Sequence, residues 1–95
     1  MNIIISEKAK SFLKQKNINC LTLNMVRGSI CWGSISLPNV EYLEPAALNE
    51  YNHYLVDNIN VYIYKFVKAE VGELKFVFKN FLILKYVDVE GIKLI

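Results

Sequence analysis

The sequence predicts an α+β fold that is mostly β: a small two-layer or barrel-like sheet structure with one N-terminal helix. Val, Ile, Thr and the aromatics, which suit a pleated half-buried surface, make up about a third of the 95 residues, while Ala occurs only four times. Helical periodicity is confined to one segment near the start. The rest divides into short alternating runs separated by turn residues. With 54% of residues apolar, one domain over residues 1–95 is expected, with ample material for one core.

The helix opens at Ser6, whose hydroxyl can accept from an exposed first-turn amide, and Glu7 suits the positive end of the helix dipole. Ala9, Phe12 and Leu13 fall at i, i+3 and i+4 and form one apolar stripe among lysines. Lys14 and Lys16 suit the negative end, so the helix should stop near Lys16-Asn17. A strand follows over Cys20–Val26, with Leu21, Leu23 and Met25 on one face and Thr22 and Asn24 on the other. Gly28, Gly33, Pro38 and Asn39 make Arg27–Ser36 read mainly as a loop, with a brief strand over Val40–Leu43. Tyr54–Val56 and Ile59–Tyr64 flank Asp57-Asn58, a pair that tolerates positive φ, and read as a hairpin. Glu73–Phe78 and Phe81–Asp88 read as a second hairpin turning at Lys79-Asn80, and Gly91 turns the chain into a last edge strand, Ile92–Leu94.

Charge and hydropathy exclude several function classes. The longest strictly apolar runs, such as Val61–Tyr64 and Phe81–Leu84, are far shorter than the roughly 20 residues of a bilayer span, so no membrane partner is expected. A formal charge of +2 is too small to argue for nucleic acid. No secretory leader pattern is visible, and a soluble, cytoplasmic protein is expected. The charge is unevenly placed, however. Lysines dominate residues 1–16, acids hold residues 41–60, and from Asn17 to Val40 the only charged side chain is Arg27. Such a stretch needs burial or a partner.

That stretch also holds the residues with chemical potential. Cys20 and Cys31 lack the two-to-four-residue spacing of zinc ligand pairs. Cys20 begins an alternating strand and reads as an apolar filler. Cys31 lies in Arg27-Gly28-Ser29-Ile30-Cys31-Trp32-Gly33-Ser34, where a nearby cation and turn amides would favour a thiolate. It is either a structural remnant or a functional thiol. Arg27, Gly28, Trp32 and Gly33 are the candidate pocket or interface around it. His53 is the only histidine, so any Cys–His dyad must use it, yet nothing local links it to either cysteine. No nucleotide loop, nucleophile elbow or carboxylate cluster is present, and an enzyme is not expected.

The opening Ile3-Ile4-Ile5-Ser6-Glu7-Lys8-Ala9, then a helix, a strand and a segment with Gly28, Cys31 and Gly33, resembles the A-type iron–sulfur carriers, the HesB/IscA-like group. Cys31-Trp32-Gly33 stands where the family's Cys-Ser-Gly would lie, and Val56–Ile63 resembles a hairpin of that family. The ending Val89-Glu90-Gly91-Ile92-Lys93 is similar to a branch of small (seleno)proteins with a Cys-Cys or Cys-Sec pair in this loop. The resemblance implies a HesB-like fold and makes Cys31 a candidate ligand.

It does not bring the ligand set. The carriers add a C-terminal Cys-Gly-Cys, whereas no cysteine follows Cys31 here, and Cys31 is flanked by Ile30 and Trp32 in place of a second Cys or Sec. Two readings follow. The first is a non-catalytic binding or scaffold domain without a cofactor, forming a homodimer or docking a protein partner. The alternative is a thiol-dependent metal-binding or redox protein acting through Cys31, with iron or an iron–sulfur cluster shared across a dimer.

Overall fold

The computed structural model describes residues 2–30, 33–69 and 72–92, with positions 27–30 and 33–36 described by backbone alone. The first boundary is set by Ser6. Its backbone is extended, and its hydroxyl accepts from the Ala9 N–H at 3.2 Å, ending strand β1 (Asn2–Ile5) and starting helix α1 (Glu7–Gln15). Ala9, Phe12 and Leu13 are the buried stripe of α1, as the spacing requires. Each of the two large side chains contributes roughly 1.5–3 kcal/mol by leaving water. Asn17, at φ +57, then turns the chain out of the helix.

Among the described residues the remaining elements are β2 (Cys20–Ile30), β3 (Gly33–Glu41), a 3-10 turn at Leu48–Glu50, β4 (Tyr51–Val56), β5 (Ile59–Tyr64), β6 (Glu73–Phe81) and β7 (Leu84–Glu90). They form two sheets, β1-β6-β7 and β3-β2-β5-β4. Beta1 runs parallel to β6 with Ile3 opposite Leu74 and Ile5 opposite Phe76, and β2 runs parallel to β5 with Leu21 opposite Val61. The other neighbours are antiparallel. The sheets approach at both margins, β3 against β7 and β1 against β4. This is the two-layer, barrel-like arrangement with one N-terminal helix that the sequence predicts.

One apolar cluster fills the space between the layers. Leu21, Leu23, Val61 and Ile63 come from the four-stranded sheet, Leu74 and Phe76 from the three-stranded sheet, and Leu13 from the helix, all with essentially no exposure. Alternation along each strand places them inward together.

Three local expectations need correction. Arg27–Ser36 is not mainly a loop: Arg27 pairs with Ser36, Gly28 with Ile35, Ser29 with Ser34 and Ile30 with Gly33, so β2 and β3 form one long hairpin. The brief strand expected over Val40–Leu43 is instead the end of β3, which stops at Glu41. The second hairpin turns at Leu82-Ile83 and not at Lys79-Asn80, because Lys79 is paired with Tyr86 and Asn80 with Lys85. The Asp57-Asn58 turn is as expected, with φ of +50° and +65°, the geometry of a type I′ hairpin. Ile92 makes one antiparallel bridge to Ala69; the rest of the expected last strand lies outside the described residues.

Candidate functional site

Pairing explains how the uncharged stretch is presented. Beta2 is held by β5 only through Leu23, opposite Ile63, whereas its pairing with β3 continues to Ile30 opposite Gly33. Beyond Leu23, β2 has β3 as its one strand neighbour among the described residues. Asn24–Ile30 and Gly33–Asn39 are therefore a two-stranded ribbon, roughly 20 Å long at strand rise. Arg27 and Gly28 stand on its first arm and Gly33 begins its second. Cys31 and Trp32 lie outside the described residues, as do the side chains of Arg27 and its neighbours to Ser36. Nearer the body, Val26 and Leu37 are directly opposite each other and both are exposed. Met25, opposite Pro38, packs against the core instead.

Cys20 is half-buried at the first position of β2, with Asn60 as its backbone partner. Burial pushes its thiol pKa up, the Glu44 carboxylate pushes the same way, and the Thr22 hydroxyl opposes them. A reactive thiolate needs the opposite environment, so the surroundings of Cys20 disfavour one and suit a packing residue.

His53 is exposed on β4, opposite Tyr62, with the two rings stacked at 4.8 Å. Its Nε2 donates to Asn60 Oδ1 at 2.8 Å, in the tautomer that carries the proton there, and Asn60 Nδ2 reaches the Asn19 carbonyl. One histidine nitrogen is thus committed to a neighbouring strand. Its relation to Cys31 falls outside the described residues.

The outer face of the four-stranded sheet carries features that sequence reasoning missed. The segment after β3 crosses it: the Thr22 hydroxyl donates to the Leu43 carbonyl oxygen, burying Thr22, and Glu44 comes close enough to raise both Cys20 and Tyr62. For Tyr62, desolvation leads and Glu44 follows. Asn39 Nδ2 donates to Asn24 Oδ1 at 3.1 Å and to Glu41 Oε1 at 3.0 Å, closing the ribbon base. A shallow acidic cleft beneath this segment is lined by Asn24, Glu41, Glu44 and Glu50. Only the acid-rich block in residues 41–60 hinted at it. Among the described residues, no group of three or more His, Cys, Asp or Glu is placed to hold a metal ion.

Comparisons with known proteins agree with this architecture. The solved structure of Escherichia coli SufA, described as involved in biosynthesis of iron–sulfur clusters, matches with a TM-score of 0.58 over 95% of this chain and 80% of that one. Sequence identity is 7%, so the likeness shows the HesB-like fold alone. A sequence search of curated proteins finds no match. A family model, that of the CC/Se motif containing family, matches residues 1–92. On that match over nearly its whole length, the chain belongs to the CC/Se motif containing family.

Proposed function

We propose that this protein is a non-catalytic binding or scaffold domain on a HesB-like fold, self-associating through the β2–β3 ribbon. The ribbon's geometry carries the reading. Two strands leave the sheet at Leu23, the exposed pair Val26 and Leu37 lies on one face, and the only charged residue from Asn17 to Val40 is Arg27. A ribbon whose one charged residue is Arg27, and whose margins are unpaired by strands among the described residues, favours a matching surface, and a second copy supplies one by two-fold symmetry. Sedimentation equilibrium tests this: the wild-type chain should form dimers, and Val26→Lys with Leu37→Glu should shift it to monomer. A monomeric wild type would overturn the reading.

The same reading holds that the iron–sulfur ligand set of the fold relatives is lost. Clusters of this kind are commonly held by four thiolates. This chain has two cysteines, one of which is half-buried at the start of β2 with a raised pKa. The donors do not fit such a group.

A second reading makes Cys31 a functional thiol that binds a metal or exchanges redox equivalents. The family description names a CC/Se motif, and Cys31 follows directly in sequence on Ile30, where β2 ends. Alkylation of a Cys20→Ser variant reports on Cys31 alone. A pKa well below the unperturbed ~8.5 supports the thiol role, and slow reaction with an ordinary pKa removes it.

A further inference from the structure

The β6–β7 hairpin ends in Phe81-Leu82-Ile83-Leu84, and all four side chains face solvent, at 64, 84, 94 and 61% exposure. Scattered exposed apolar residues need no explanation, but an apolar apex does. Its turn adds a second observation. Leu82 sits at φ +56 while Ile83 does not share the positive φ, as in a type II′ turn, whose first position favours Gly. A bulky Leu is a costly choice there, and a solvent-facing one returns no core packing.

Charge supplies the third observation. From Val77 to Val87 the hairpin carries Lys79 and Lys85 and no acid. Lys85 follows Leu84 directly and lines a cleft with Lys8 of α1; Glu7, in the same cleft, shares Lys10 with Asp57, at 3.1 and 2.9 Å. Lys79 leans toward Glu90 at 3.8 Å, an exposed contact that is easily exchanged. Tyr86, opposite Lys79, is also exposed.

We propose that this apex is a membrane-contact element that inserts into an anionic lipid surface. Two residues per arm give a depth of roughly 5–7 Å at strand rise, within the ~5–10 Å at which apolar elements enter the headgroup–acyl boundary. Lys85 and Lys79 then stand one and two residues behind the inserted part, at headgroup level, where their stems extend along the apolar surface and their ammonium groups meet lipid phosphates. Absence of a membrane-spanning helix among the described residues has no bearing on a peripheral contact of this kind.

Vesicle co-sedimentation tests the proposal with the full chain, using phosphatidylcholine vesicles with and without one-third phosphatidylglycerol. The wild type should bind the anionic vesicles and bind the neutral ones far more weakly. Leu82→Gly with Ile83→Asn keeps a sequence suited to a type II′ turn while removing the apolar apex, and should lower binding at least tenfold. Lys79→Gln and Lys85→Gln should each lower it about fivefold on anionic vesicles only. No binding by the wild type, or equal binding by the apex variant with an unchanged circular dichroism spectrum, overturns the proposal. So does an apex variant that changes the sedimentation mass of a wild type that ignores vesicles, which would assign the apex to contact between copies.

Discussion

The Tyr42 hydroxyl accepts a hydrogen bond from the Val87 N–H at 3.0 Å, tying the segment after β3 to β7 across the join between the two sheets. Beta7 is the outer strand of its sheet, and its amides alternate between β6 and the open side. At the next outward position, the Val89 N–H donates to Asp88 Oδ1 at 2.9 Å. Side chains thus satisfy two successive outward amides, which blunts the edge against pairing with another strand.

Tyr42→Phe should therefore destabilise the protein by about 1–3 kcal/mol, since the Val87 amide loses its partner at a site where Val87 itself is buried. Urea unfolding followed by circular dichroism measures this. A midpoint unchanged from wild type would mean that water replaces the phenol without loss.

Gly91 has a different constraint. Its φ is +92, and a Cβ there would lie 2.5 Å from the Glu73 carbonyl oxygen, a backbone atom that cannot move aside cheaply. Gly72 also has positive φ, at +75, but a Cβ there meets nothing within 4 Å among the described residues. Gly91→Ala should cost about 2 kcal/mol or more, combining strain with collision, and Gly72→Ala only the strain, about 1 kcal/mol. Thermal unfolding of the two variants side by side separates the effects. Equal losses would show that the Glu73 contact contributes nothing.

The helix and the first hairpin were legible because their signals are local: a capping Ser6 with a 3.6-residue stripe, and Asp57-Asn58 between alternating arms. The β2–β3 ribbon was not. Gly28, Ser29, Gly33 and Ser34 read as loop, yet register set nearer the body by Leu23 opposite Val40 and Val26 opposite Leu37 extends pairing through them. Long-range pairing of this sort has no local signature. The second turn was missed for a related reason. Asn80 is the better turn residue, but Phe76 opposite Val89 and Phe78 opposite Val87 fix the register and force the reversal onto Leu82-Ile83. The clue to the apex was present as the unbroken apolar run Phe81–Leu84. For the candidate residues Arg27, Gly28 and Gly33, the fold shows that their backbones share one ribbon.

Cys20 should make the protein sensitive to alkali. Its folded pKa is raised above the ordinary thiol value, chiefly by burial, so the native state holds the proton more tightly than the unfolded chain. The resulting stabilisation is full below the unfolded pKa and is lost as pH rises through the folded one. Tyr62 is raised as well and acts in the same direction at higher pH. Stability from denaturant melts should fall as pH passes above about 8.5, and Cys20→Ala should flatten the first part of that fall. An identical pH profile in the variant would show that Cys20 does not titrate differently in the two states.

Iron–sulfur reconstitution separates the two functional readings most sharply. If the ligand set is lost, anaerobic incubation with ferrous iron and sulfide followed by desalting should leave no cluster absorbance on the wild-type chain. A dimer would contribute one Cys31 from each copy, half of the four thiolates that commonly hold a cluster, and Cys20 disfavours its thiolate. Absorbance that stays with the wild type and disappears in Cys31→Ser would reverse the conclusion, because it would require Cys31 to act as a ligand alongside non-cysteine donors. Absorbance retained equally by both would place iron away from Cys31, and the thiol reading would then lose its metal.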